Sequence, residues 1–205
     1  MNNPLLSLLQ NHNISAQLYG LPGTYKTTFL LQIIQLKLKE GFNRKIYLID
    51  TSGNFPIVRL KSIKEQLRNL VIFQPKTLKE TGLLLDDLTI KILSKDSILL
   101  IDDIFRHTNL EKKETAHLNS YIMALVKTIS NKIDFPVILT NQARSYDNEI
   151  YPFLQNLTLH YLDWHFLFEK IRKTQIRVSF FKNDKYINQS DYRIDSAGFF
   201  TNMDL

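Results

Sequence analysis

Near residue 20 the chain changes its hydrophobic period, from the alternation of a strand to the three- and four-residue spacing of a helix, and a glycine-containing turn marks the change. Residues 14–19 read as a strand that ends at Gly20. Residues 24–40 then carry Phe29, Ile33 and Leu36 at helical spacing, and Gly41 follows as a stop. The alternation recurs along the chain. Residues 45–50 (KIYLID), 70–73, 97–102 (SILLID) and 135–140 (FPVILT) read as buried strands. Residues 77–93, with Leu84, Leu88 and Ile92 on one face, read as a helix. So do residues 116–131, with Leu118, Ile122, Leu125 and Ile129 inward. This order predicts an α/β fold, a mostly parallel sheet flanked by helices, with its chemistry where strands end and helices begin. Past residue 156 the pattern shifts. Residues 157–171, 175–182 and 192–195 read as consecutive strands with a turn at Asn183 and Asp184, an antiparallel C-terminal extension of the sheet. No linker, repeat or low-complexity tract divides the 205 residues, which predicts one domain over 1–205.

The first strand–helix junction reads Gly20-Leu21-Pro22-Gly23-Thr24-Tyr25-Lys26-Thr27. A phosphate-binding loop needs glycine, four residues, glycine, lysine, then serine or threonine, and Gly20, Lys26 and Thr27 match three of the four fixed positions. Backbone N–H groups at the start of the helix would face the phosphates, Lys26 would reach the β- and γ-phosphates, and the Thr27 hydroxyl would hold Mg²⁺. Gly20, Gly23, Thr24, Tyr25, Lys26, Thr27 and Thr28 are therefore candidates for binding ATP. Tyr25 is the departure: it stands where glycine lets the backbone approach closely, so it either shifts the loop or turns its ring outward. The bland reading of the segment is a helix-capping turn with Lys26 in solvent. Asp102, which follows four apolar residues in SILLIDDI, is a second candidate for the Mg²⁺ site, acting through water, with Asp103 beside it.

Composition narrows the partners less. Hydrophobic residues make up 44% and charged residues 22% of the chain, so a normal globular core is expected. There is no cysteine, which excludes disulfides and thiolate metal sites. The first ten residues are leucine-rich but lack a basic leader, and no stretch reaches the roughly 18 apolar residues of a membrane span. These features predict a soluble intracellular protein, cytoplasmic or nuclear, with no membrane partner. The net charge of +6 fits a polyanionic partner and fits ordinary surface lysine equally well.

Five segments, in order, resemble the RecA/RadA recombinase superfamily: LLSLLQNHNISAQLYGLPGTYKT, IYLIDTSGNF, SILLIDDIFRH, VILTNQ, and the tail from KIRKTQIRVSF through YRIDSAGF. The sequence enters the core almost at once, which makes it most similar to the small archaeal recombinase paralogues of the RadB type. The resemblance implies a RecA-like P-loop NTPase core, with Gln142 as a γ-phosphate sensor at the head of a DNA-binding loop. It also exposes a gap. Where active members have Asp-Thr-Glu, this chain has Asp50-Thr51-Ser52, and a serine cannot act as a carboxylate base near neutral pH. With Tyr25, Ser52 implies slow or absent hydrolysis. Asp50 and Asp103 are the carboxylates left to substitute.

The resemblance also implies two DNA-contacting regions, residues 105–114 and 143–156. Arg106, Lys112 and Lys113 in the first, and Arg144 and Tyr146 in the second, are the candidate contacts, with single strands favoured. A solvated loop with its aromatics packed on the sheet edge explains the second region equally well. Lys170, Arg172, Lys173 and Arg177 form a denser basic run that a strand hairpin also produces. His107, His117, His160 and His165 have no metal-site spacing, and Trp164 reads as core. The leading function implied is an ATP-binding recombinase paralogue that assists homologous recombination and DNA repair with a recombinase or paralogue partner. The alternatives are a pseudo-ATPase interaction subunit, of the kind in Shu-type or Elongator accessory complexes, and a KaiC-like regulatory ATPase.

Overall fold

The computed structural model describes residues 14–92, 96–109, 111, 113–134, 136–147, 149–195 and 200–202. Lys112, Leu93, Phe135 and the leucine-rich first ten residues lie outside them. The apolar runs form the strands β1 (Ser15–Gly20), β2 (Ile46–Asp50), β3 (Leu70–Phe73), β4 (Ile98–Asp102) and β5 (Val137–Tyr146). They continue with β6 (Glu149–Pro152), β7 (Trp164–Arg172), β8 (Gln175–Lys182), β9 (Lys185–Ile194) and β10 (Phe200–Asn202). The helices are α1 (Lys26–Lys39), α2 (Leu78–Asp87), α3 (Lys113–Ser130) and α4 (Gln155–Tyr161). The spatial order is β10-β9-β8-β7-β1-β5-β4-β2-β3, with β6 paired to β5. From β3 to β7 neighbouring strands run parallel, and β7 to β10 form an antiparallel meander.

Side chains alternate across the sheet and build a core on each face. On one face Leu18, Leu48, Leu100, Ile138 and Phe168 pack under Phe29, Leu30 and Ile33 of α1. On the other, Ile49, Ile101 and Leu139 meet Leu85 of α2 and Ile122, Val126 and Ile129 of α3. Burial on both faces explains why the central strands read as unbroken apolar runs. Helix α2 is started by Thr77, whose hydroxyl accepts from the Glu80 N–H at 3.1 Å, while the Glu80 carboxylate accepts from the Lys76 N–H at 2.7 Å. Beyond Asp87 the helix widens into a π turn, Leu88–Ile92.

Two expectations are corrected. Residues 157–161 are not the start of a strand: they belong to α4. The alternation of Leu157, Leu159 and Tyr161 imitates a strand, but Leu154, Leu157 and Tyr161 also fall at helical spacing and pack together on the second core. Residues 143–156 are not one loop. β5 runs on to Tyr146 and folds back through β6, with Arg144 opposite Tyr151 and Tyr146 opposite Glu149. Asp147, in the left-handed region at φ 48°, makes the turn. The turn expected at Asn183 and Asp184 is present, with φ of 48° and 62°.

Candidate functional site

The parallel register sets the site. Gly20 at the end of β1 lies level with Gln142 in β5, and Asp50 at the end of β2 lies level with Asp102 in β4. The phosphate loop, the Ser52 turn, both aspartates after SILLI and the Asn-Gln pair therefore gather at the carboxyl edge of the sheet, where parallel α/β sheets bind ligands.

Gly20 is required by space: a Cβ there would stand 2.3 Å from the Phe168 carbonyl oxygen. Tyr25 keeps the backbone that a glycine would adopt, with φ 66° and ψ 18°, directly before α1. That conformation costs a non-glycine residue on the order of 1 kcal/mol. The ring turns outward, donates its hydroxyl to the Lys173 carbonyl at 2.6 Å, and lies 5.9 Å from the Lys170 ammonium. Contacts with the β7–β8 hairpin thus hold Tyr25 in the left-handed conformation that a glycine would adopt. No side chain caps α1, and its first turn, Lys26, Thr27 and Thr28, contains no acidic residue. Its leading N–H groups and the helix dipole form an anion-binding end.

The Lys26 ammonium donates to the carbonyls of Gly20 at 2.8 Å and Leu21 at 3.1 Å, and to the Thr24 hydroxyl at 3.3 Å. Burial lowers its pKa to about 8, against the upward pull of Asp103 and Asp102. Phosphate oxygens could replace those acceptors and restore a full charge environment. The Thr27 hydroxyl reaches both oxygens of Asp102, at 3.0 and 3.1 Å, and Thr140 donates to the same carboxylate at 2.7 Å. Burial pushes Asp102 up, opposed by these two donors and reinforced by the charges of Asp103 and Asp50. A hydroxyl and a carboxylate, both hard oxygen donors with a second carboxylate, Asp103, beside them, suit Mg²⁺ held jointly with phosphates. Among the described residues no cluster of His, Cys, Asp or Glu is arranged to hold a metal alone.

The Ser52 position is closed on itself. The Asp50 carboxylate is fully buried and accepts from the Ser52 hydroxyl at 2.8 Å and the Gly53 N–H at 2.9 Å. It also accepts from the Phe55 N–H and the Gln74 amide, both at 3.0 Å. Burial alone would raise its pKa, but the donors from Phe55, Ser52, Gln74 and Gly53 outweigh burial and hold it below the usual carboxylate range. Asp50 is a turn-forming anion, with no lone pair directed at the phosphate loop. Asp103 differs. It sits at φ 58°, its N–H donates to Thr140 at 2.7 Å, and its Oδ2 accepts from the Gln142 amide at 2.9 Å. Sequence reading missed Thr140, which joins the two aspartates, although a threonine ending the VIL run was a visible signal.

A cavity of about 220 Å³ lies beside this network, lined by Asp103, Arg106, Asn141, Gln142, Arg144 and Phe153 among others. It brings Arg106 and Arg144, from the two expected DNA regions, to one opening. Asn141 is buried there, with its Oδ1 unpartnered among the described residues. Arg144 stacks over the Phe153 ring at 4.7 Å, and Tyr146 is 71% exposed. Lys113 opens α3 and is exposed, away from this cavity lining. The basic run on β7–β8 is partly neutralised, since Arg177 is paired with Asp191 at 2.8 and 3.0 Å. His165 is fixed between Gln17 and the Leu162 carbonyl, His107 lies 3.3 Å from the Pro75 carbonyl, and Trp164 packs on Phe166.

A scan of family models finds no match. Among curated proteins, the DNA repair and recombination protein RadB of Methanococcus maripaludis is 30% identical over 164 residues, covering 72% of this chain and 74% of the relative. The chain belongs to the RadB family. RadB of Thermococcus sibiricus is 31% identical over 140 residues, or 63% of this chain and 59% of that protein. Protein RecA of Ureaplasma parvum is 29% identical over 146 residues, 66% of this chain and 42% of that protein. The crystal structure of the RadB recombinase superposes with a TM-score of 0.77 over 95% of both chains at 20% identity, which establishes a RecA-like fold. As in the RadB family, the chain has a RecA-like core with a phosphate-loop segment. No helix among the described residues is long and apolar enough to cross a membrane.

Proposed function

We propose that this chain binds ATP·Mg²⁺ through Gly20–Thr28 and Asp102, hydrolyses it slowly if at all, and assists homologous recombination and DNA repair. DNA and a recombinase or paralogue protein are its partners, and residues 1–205 form a single core domain. The names of its relatives, DNA repair and recombination proteins, support the process. One observation carries the mechanism: Thr140, Gln142, Arg144 and Tyr146 alternate along β5 and project from one face of it. Thr140 holds Asp102, Gln142 holds Asp103, and Arg144 and Tyr146 lie on the exposed hairpin beyond. A single strand therefore runs from the candidate phosphate site to the candidate DNA surface, and a shift of Gln142 toward a γ-phosphate would be transmitted along it.

On this reading Arg144 and Arg106 contact phosphates, Lys113 at the start of α3 adds a further basic contact, and Tyr146 stacks on bases; Lys112, expected with them from the sequence, lies outside the described residues. Fluorescence anisotropy of a labelled single-stranded oligonucleotide at several salt concentrations tests it. Affinity should fall with salt at a log–log slope of about −0.7 per neutralised phosphate, and replacing Arg144 and Lys113 together should flatten that slope. Tyr146→Ala should weaken binding with the slope retained. The absence of binding at low salt would contradict the DNA role. The closed Ser52 turn favours a second reading, a pseudo-ATPase interaction subunit, which that outcome would support.

A further inference from the structure

The reaction proposed above lacks a base at Ser52, and the structure discriminates between the carboxylates that could replace it. Asp50 is committed: four donors occupy it and fix the turn after β2. Asp102 is committed to Thr27 and Thr140 at the candidate Mg²⁺ site. Asp103 is held in place but not saturated. Its backbone N–H is anchored on Thr140, and one carboxylate oxygen, Oδ2, accepts from Gln142. Among the described residues, Oδ1 has no hydrogen-bond partner. Asp103 stands in the left-handed region at φ 58°, directly after β4, where it lines the cavity with Gln142 and Arg106 and is near enough to the Lys26 ammonium of the phosphate loop for their charges to interact. Such a conformation costs of order 1 kcal/mol or more and persists where the surroundings enforce it, here through Thr140 and Gln142.

We propose that Asp103 is the catalytic base for whatever ATP hydrolysis this chain performs, with Gln142 orienting its carboxylate. This rests on the ATP reading given above. Asp103 accepts one proton from a water molecule at Oδ1 as the water oxygen forms its bond to the γ-phosphorus. The bond from that phosphorus to the β–γ bridging oxygen breaks, its electron pair leaves with ADP, and inorganic phosphate is released.

The test pairs single-turnover phosphate release from Mg·ATP with titration of a fluorescent ATP analogue, on wild type, Asp103→Asn and Asp103→Gly. Asparagine tolerates the left-handed backbone and can still accept from Gln142, so D103N preserves the fold and removes only the basic oxygen. Glycine relieves the backbone strain, so D103G should melt no lower than wild type. Both variants should release phosphate about 100-fold more slowly. Both should bind the analogue as tightly as wild type or more tightly, since a negative charge facing the phosphates is gone. A purely structural role for Asp103 predicts that D103N turns over normally. Release from either variant at the wild-type rate would overturn the proposal, as would a wild type that binds Mg·ATP and releases no phosphate. Failure of the wild type to bind the analogue would instead overturn the ATP reading, and this proposal with it.

Discussion

The phosphate loop and the Ser52 turn lie at the same edge of the sheet, and each departs from its family pattern at one position. The outcomes differ. At Tyr25 the missing property is a backbone conformation, and the chain supplies it anyway, with the ring anchored on Lys173 and beside Lys170. At Ser52 the missing property is a functional group. No backbone adjustment supplies a carboxylate, and the nearest one, Asp50, is turned inward to hold the loop. A motif position that demands geometry can be rescued by contacts elsewhere in the fold. One that demands chemistry can be rescued only by another group of the same chemistry.

Two substitutions sharpen this contrast. The larger effect is expected at Asp50. Asp50→Ala leaves the N–H groups of Phe55 and Gly53 without their acceptor and should cost about 2 kcal/mol of stability, lowering Tm by about 6 °C. Its pH signature has a definite sign. Because the folded carboxyl is held below its usual value, the native state binds fewer protons than the unfolded one, so the contribution is complete above a pH of about 4 and lost as pH falls through the folded value. Thermal melts across acidic pH should show a shallower acid loss for Asp50→Asn than for wild type. An equal loss would mean that Asp50 is not the charged centre of this turn.

The smaller effect is expected at Tyr25. Tyr25→Phe deletes one solvent-exposed hydrogen bond, that to the Lys173 carbonyl, and should cost about 0.5–1 kcal/mol by thermal or chemical unfolding. A large loss of nucleotide affinity in the same variant would break the comparison, because the hydroxyl would then belong to the phosphate site.

Much of the architecture was legible because the signals were local. Three central strands, β2, β4 and β5, are apolar runs in the sequence, and the strand–glycine–lysine–helix order locates the loop; the fourth run, β3, reads as equally buried but lies at the sheet edge and is half-buried. What was not legible depends on partners distant in sequence. Residues 155–161 satisfy both a strand and a helix period, and packing against the second core decides between them. The outward ring of Tyr25 depends on a carbonyl 148 residues away. The inward turn of Asp50 depends on Gln74 as well as on its own loop, and the tie between Asp103 and Gln142 spans 39 residues. In each case the residue type was visible, but the direction in which its side chain points was set by the sheet register.

The central claim is that Lys26 and its loop form a working nucleotide site, and the most direct measurement is the affinity for ATP with and without Mg²⁺ in wild type and Lys26→Ala. On the proposed ATP reading, replacement of Lys26 would remove two charge-assisted contacts to the β- and γ-phosphates, together worth about 3 kcal/mol, or roughly 100-fold in affinity. A melt of the variant checks that it remains folded. The account predicts Mg²⁺-dependent binding by wild type and about a 100-fold loss in the variant. Equal affinity of the two folded proteins, or binding indifferent to Mg²⁺, would contradict it.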